Sequence, residues 1–280
     1  MIEQNLSLWS ELSRFTFGGD PAANTGKRLL TIGNYQFAYL HDGLAAALVR
    51  TDLLPEFENP IAQLIAICSG DDDALSDGLE GRAKVKHCSL GPEQSLTLRR
   101  YVRGGWMRRL SEDSFILPPW KSLAQSRPFL ELLVLGVLAQ AKVSAVLPAA
   151  AIVRRAPSGF SYSGLIATET VKESVTLFKL AKEDTTEFIK CAAEAGREAA
   201  KMLRAGVFHQ DLHPGNVLRS RDGSVVLLDF DKAKFIEPEL EYEGRKRALA
   251  ARWERAVNKY NLPASAAEAF SQGVDSRGDS

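Results

Sequence analysis

HQDLHPGNVLRSRDGSVVLLDFD, residues 209–231, is the stretch that decides how this chain folds. A segment with helical spacing, Thr185 to Ala205, leads into it, with Thr185 or Thr186 as cap and Gly206 just past the end. A loop crowded with His, Asp, Pro and Asn follows. Asp222–Gly223 then reads as a hairpin turn, and Val225 to Phe230 as a short buried strand. Asp211 and Asn216 lie five residues apart on one loop, and Asp229 thirteen further on, near the end of that strand.

This is the spacing of the protein-kinase catalytic set, H-R-D-x-x-x-x-N followed by D-F-G. The residue types suit phosphoryl transfer. An acceptor hydroxyl needs a carboxylate within hydrogen-bond reach, and Asp211 fits that role. The phosphate donor, ATP, arrives with Mg²⁺, a hard cation that takes oxygen ligands, and Asn216 and Asp229 supply oxygens. His209 is expected to pack and hydrogen-bond behind the loop. His213 stands where protein kinases usually carry a lysine.

The rest of such a site should lie upstream. Gly78, Gly81 and Arg82 would form a glycine-poor loop over the phosphates. Ala83–Leu90 and Ser95–Val102 read as two strands joined at Gly91–Pro92. The second carries Arg99 and Arg100 where a lysine is usual; Lys84 and Lys86 could substitute. Register decides whether Arg99 or Arg100 faces the nucleotide. Helical spacing opens near Pro128 and is closed by Pro148. Glu131 on that helix would be the cation's partner, or else part of a solvated face. Residues 149–154 and 163–171 read as strands, and Thr168-Glu169-Thr170-Val171 as the bridge to a second lobe, its backbone meeting the adenine. The segment 31–40 could hold a strand before a turn at Asp42–Gly43, whereas 44–68 gives no clear pattern. A final basic amphipathic helix covers about Glu243 to Tyr260, and the tail after Gly273 reads as frayed.

Composition fits a folded enzyme. The 280 residues carry 35 basic and 35 acidic side chains, with 45% apolar and 25% charged residues, which excludes a disordered chain, a collagen or a coiled-coil rod. Strands dominate the first half and helices the second, which predicts an α+β, bilobal, protein-kinase-like fold with a β-rich N-lobe and a mostly helical C-lobe. Residues 1–70 would be an extension packing on or adding to the N-lobe, 71–167 the N-lobe and 168–280 the C-lobe. Three widely spaced cysteines give neither a disulfide framework nor metal-ligand spacing, so a reducing compartment fits best. No signal peptide is visible, and the longest apolar run, Leu132 to Ala139, falls far short of the ~20 residues that span a bilayer. Between Arg99 and Arg109 stand five arginines and no acid, either a solvated face or an anion-binding patch.

These segments resemble the lipopolysaccharide core kinases, and within them the 3-deoxy-D-manno-octulosonic acid (Kdo) kinases. LRRYVRGGWMRRLSED (98–113) is similar to the family's L-R-H-Y-x-R-G-G segment, and Gly81–Arg82 to the start of its G-R-G loop. SRPFLE (126–131) is similar to its T-R-S-aromatic-x-E helix start, residues 209–218 to its H-x-D-L-N-x-x-N-I-L loop, and LDFDK (228–232) to its L-D-F-D-[KR]. Arg252 to Asn261 is compatible with its basic C-terminal helix. His213-Pro214-Gly215 departs toward aminoglycoside and choline kinases, and Ala83 replaces a second loop glycine. The resemblance implies ATP- and Mg²⁺-dependent phosphorylation of a sugar hydroxyl on Kdo-lipid A. Asp211 would be the base, Asn216 and Asp229 the metal ligands, and Gly81, Arg82, Arg99, Glu131 and Glu169 the nucleotide contacts. Arg100, Arg103, Arg108 and Arg109 would meet the anionic glycolipid or the membrane around it. The implied place is cytoplasmic, peripheral on the inner membrane, with no nucleic-acid partner. The residues leave the oligomeric state open. They also leave two alternatives, a soluble small-molecule kinase of the aminoglycoside or choline type and a pseudokinase scaffold.

Overall fold

The computed structural model describes residues 28–69, 85–91, 94–101, 115–116, 125–156 and 161–276. The described residues fall into two compact units. One is drawn from the chain up to Leu133 together with Leu147–Thr170, the other from Val134–Val146 and Val171 onward. The first is β-rich and the second mostly helical, the α+β division of protein-kinase-like folds.

The first unit is built on one antiparallel sheet. Its strands are β1 (Arg28–Ile32), β2 (Tyr35–His41), β3 (Ala45–Arg50), β4 (Val85–Ser89), β5 (Ser95–Arg100), β6 (Phe115–Ile116), β7 (Pro148–Arg155) and β8 (Ser161–Glu169). They lie in the order β1-β2-β3-β7-β8-β5-β4, with β6 also paired to β8. The expected strand within 31–40 is a hairpin, turning at Gly33–Asn34. The turn at Asp42–Gly43 forms as expected, with Asp42 Oδ1 accepting the N–H groups of Leu44 and Ala45. The hairpin read around Gly91 is β4–β5, paired from Val85↔Arg99 to Ser89↔Ser95.

The segment without a pattern, 44–68, supplies β3, a 3-10 turn at Thr51–Glu56 and helix α1 (Pro60–Ser69). Every residue of β3 is buried, because the strand lies between β2 and β7 and is covered on both faces. Ile61, Leu64 and Cys68 of α1 pack with Ala45, Ala47, Val49, Leu96, Leu98 and Ile152. Successive side chains of a strand point to opposite faces, so Thr97, Arg99 and Tyr101 turn away from this core. Helix α2 (Arg127–Gln140) meets Arg99 and Tyr101 there. It stops at Gln140, and Pro148 opens β7 rather than closing the helix.

In the second unit, β9 (Val175–Thr176) leads to α3 (Leu177–Glu183) and α4 (Thr185–Arg204). The α4 cap is Asp184, not a threonine: its backbone is extended and its Oδ1 accepts the Glu187 N–H at 2.9 Å. Gly206, at φ +79°, ends the helix and donates to the Leu203 carbonyl. Strand β10 (Val207–Phe208) follows, then the hairpin of β11 (Val217–Arg219) and β12 (Val225–Leu227), then β13 (Lys234–Phe235) back against β10. Asp222 shapes the hairpin turn by accepting from Ser220 and Ser224, and these bonds lower its carboxyl to about 2.

The late helix α5 runs from Pro238 to Lys259, longer at its start than the basic pattern shows. Beyond it lies a further helix, α6 (Ser265–Asp275), which runs on through the first two residues after Gly273, whereas 277–280 of the tail expected to fray lie outside the described residues. Helix α6 crosses α4 closely: a Cβ on Gly196 would strike the Phe270 carbonyl, and one on Gly273 the Ala193 carbonyl. Both neighbours are backbone and cannot step aside. Gly196→Ala should therefore lower the unfolding free energy by about 1–3 kcal/mol, the usual cost of overpacking, read as a lower urea midpoint at unchanged slope.

Candidate active site

In the first unit, Arg99 and Glu131 come together. The Arg99 guanidinium donates to both Glu131 carboxylate oxygens, at 2.7 and 2.6 Å. The Tyr101 hydroxyl donates to the same carboxylate, and the Arg99 guanidinium lies over the Tyr101 ring, 5.1 Å from its centroid. Glu131 is 3% exposed, so it is the buried partner of a cation and not part of a solvated helix face. Strand alternation sends the two arginines to opposite faces of the sheet. Arg99 turns to α2, whereas Arg100 shares the side of Leu96 and Leu98 and acts on the Cys68 thiol. Burial pushes the Cys68 and Cys191 thiols up to about 11. Glu169, the last residue of β8, is ion-paired to Arg50 at 2.6 Å. Gly81, Arg82, Lys84, Arg103, Arg108 and Arg109 lie outside the described residues.

In the second unit, the loop after β10 is held from behind by His209, which is fully buried. Its Nδ1 accepts the Asp211 N–H at 3.1 Å, so Nε2 carries the proton and donates to the Leu228 carbonyl at 2.9 Å. A protonated ring would present two donors and lose the first bond. Burial accordingly lowers the His209 pKa, and the ring packs on Phe230 at 4.9 Å. The Leu228 N–H is held as well, by the Asn216 carbonyl at 2.9 Å. Both backbone groups of the residue before Asp229 are thus tied to the loop that bears Asp211 and Asn216. Asp229 itself has a left-handed backbone, φ +60°, which Asp tolerates better than most side chains. The Asn216 Nδ2 donates to the Asp211 carbonyl at 2.9 Å. Its Oδ1 takes no hydrogen bond among the described residues.

His213 accepts the Gly215 N–H on Nδ1 at 3.0 Å and stacks on Phe178. Burial lowers its pKa, so it is not a ready substitute for the lysine. Two cations that the spacing did not single out face Asp211 instead. Arg252 of α5 pairs with Oδ1, and Lys232 lies 3.4 Å from Oδ2. Burial alone would raise the Asp211 carboxyl, but Arg252 and then Lys232 outweigh it and hold the group below the usual carboxylate range. The signal for both was in the sequence: Lys232 directly follows Asp231, and Arg252 lies in the basic amphipathic segment.

The α+β division and the order of helix, loop, hairpin and Asp-bearing strand define a class, the kinase-type phosphotransferases. The chain belongs to the lipopolysaccharide kinase (Kdo/WaaP) family, whose sequence model matches residues 77–270. Its curated relatives include a 3-deoxy-D-manno-octulosonic acid kinase of Vibrio vulnificus, 29% identical over 174 residues that cover 62% of this chain and 70% of that protein. The protein of the same name from Vibrio parahaemolyticus is 32% identical over 160 residues, 57% of this chain and 64% of the relative. That from Stenotrophomonas maltophilia is 30% identical over 175 residues, 59% and 66%. Among the described residues, no helix is long and apolar enough to cross a membrane.

Removing the Glu131 carboxylate takes away the acceptor that Arg99 and the Tyr101 hydroxyl share, so Glu131→Ala should cost about 1–3 kcal/mol in chemical denaturation. His209 has a depressed folded-state pKa, so the unfolded chain binds its proton more readily. Its contribution to stability is complete above histidine's ordinary value of 6.5 and is lost as pH falls through the folded-state value. Wild-type stability should drop by up to about 1.4 kcal/mol per pH unit in that window from this group, and the difference from His209→Gln should show that slope.

Proposed function

We propose that the protein transfers the γ-phosphate of ATP to a hydroxyl of 3-deoxy-D-manno-octulosonic acid on lipid A. The observation that carries this reading is the pinned loop: Asp211, Asn216 and the residue before Asp229 are joined by short hydrogen bonds within the second unit. Asp211 is the base. Arg252 and Lys232 keep its carboxylate ionised, and it accepts the proton as the sugar oxygen attacks the γ-phosphorus and the bond to the β-phosphate oxygen breaks, releasing ADP.

The donor atoms fit Mg²⁺. Asn216 has committed its amide nitrogen to the Asp211 carbonyl, which leaves the hard oxygen as its available donor, and Asp229 adds a carboxylate. When bound, the ion would offset the charge of the phosphates. In the first unit, Arg99, oriented by Glu131 and Tyr101, holds phosphate oxygens, while Gly81 and Arg82 cover them. The backbone around Glu169 meets the adenine. Arg100, Arg103, Arg108 and Arg109 attract the anionic acceptor and the cytoplasmic face of the inner membrane, each basic residue contributing ~1 kcal/mol near such a surface. On this reading residues 1–70 extend an N-lobe of 71–167, and 168–280 form the C-lobe.

The test is phosphate transfer from Mg-ATP to a panel of acceptors: Kdo-lipid A, heptosylated core, an aminoglycoside and a generic protein. Kdo-lipid A should be the preferred acceptor, and Asp211→Asn should lower kcat by about 10²–10⁴ while nucleotide still binds. Preference for the aminoglycoside, or nucleotide binding without turnover on any acceptor, would overturn the reading.

A further inference from the structure

Arg50 is a buried cation that the phosphoryl-transfer reading leaves unused, and it lies ahead of the family-matched residues 77–270. It is 4% exposed and closes β3. Its Nε donates to Asp52 Oδ1 at 2.7 Å, one terminal nitrogen to the Pro148 carbonyl at 3.1 Å, and the other is paired with Glu169 Oε1 at 2.6 Å. The Tyr35 ring covers the guanidinium, 4.9 Å from its centroid. Strands β3, β7 and β8 are neighbours in the sheet, and Arg50, Pro148 and Glu169 stand at their adjoining ends. One side chain therefore braces three strands across the sheet.

The far end of this brace matters most. Glu169 is the last residue of β8, and its N–H donates to the Leu147 carbonyl at 2.9 Å. Thr170 is fixed in turn: its N–H donates to the Ser95 carbonyl and its hydroxyl meets that of Thr97, both at 2.9 Å. The guanidinium fork is planar and its donors point in fixed directions, so a carboxylate paired to it is held in orientation as well as distance. Being desolvated, Arg50 must keep these partners, because a buried charge without them is strongly disfavoured.

We propose that Arg50 is a positioning residue for the nucleotide: it grips Glu169 so that the backbone at the end of β8 is presented to the adenine in a fixed pose. The inference rests on the reading that this backbone meets the adenine. It assigns the β1–β3 extension a part in substrate binding, although no residue of it need touch ATP. Binding groups tolerate little displacement, and a shift of about 1 Å can cost up to 10²-fold.

The test compares the full chain with Glu169→Ala, Glu169→Gln, Arg50→Lys and Asp52→Asn, by calorimetric binding of a non-hydrolysable ATP analogue and by steady-state transfer to Kdo-lipid A. Asp52→Asn takes the charge from one arm of the same guanidinium, keeping an acceptor there, without touching β8. Glu169→Ala and Arg50→Lys should raise both the Kd for the analogue and the KM for ATP about five- to tenfold, with kcat and the acceptor KM unchanged within about twofold. Glu169→Gln, which keeps an acceptor for the fork, should recover part of the loss. Asp52→Asn should leave nucleotide binding unchanged even where its thermal midpoint falls as far as that of Glu169→Ala. Unaltered nucleotide binding in Glu169→Ala, or equal losses in Asp52→Asn, would overturn the positioning role and leave the kinase reading intact. Failure of the wild-type chain to bind the analogue would overturn both.

Discussion

A neutral imidazole, sealed from water, takes an N–H from the loop that bears Asp211 with one nitrogen and gives its own proton to the strand end with the other. The arrangement works only in one tautomer and only without charge. Burial supplies the second condition, and the two backbone partners supply the first. Through His209, a loop with little regular structure acquires the fixity of a hairpin. Asn216 then extends the β11–β12 ladder by one more bond and turns its amide onto Asp211.

Each unit carries an ion pair of its own at these positions. In the first, Glu131 is the shared acceptor for a guanidinium and a phenol, all three brought together by strand alternation in β5 and the first turns of α2. In the second, Asp211 is left partly open and is flanked by Arg252 and Lys232, which hold its carboxyl below the usual carboxylate range. The lysine usual in protein kinases is replaced by a histidine whose burial disfavours the charged form. The positive charge comes instead from α5 and from the residue after Asp231.

What the sequence made legible was local. The loop and hairpin that carry Asp211, Asn216 and Asp229 were legible because turn residues and a short apolar strand mark them, and the β4–β5 hairpin because Gly91–Pro92 marks its turn. Strand β3 was not found, since AAALVR, buried on both faces, has no alternation to read. Helix α6 was missed because its packing face is made of Ala266, Phe270, Gly273 and Val274, whose small members carry little hydrophobic signal. The Arg252–Asp211 pair joins residues 41 positions apart, and only the placement of α5 brings them together. Glu131 could be read as solvated or buried until Arg99 and Tyr101 were found on the same face of the sheet.

Strand β3 has a consequence for how the sheet is bordered. It covers one long side of β7, pairing from Ala45↔Arg154 to Val49↔Ala150, along a strand whose first six residues are buried. A chain trimmed to the family-matched residues would keep every group assigned to chemistry yet bare that backbone ladder and its apolar flanks. Unpaired strand borders of this kind recruit other copies. The amino-terminal hairpin and β3 therefore act as a selvedge, finishing a sheet that would otherwise invite self-association.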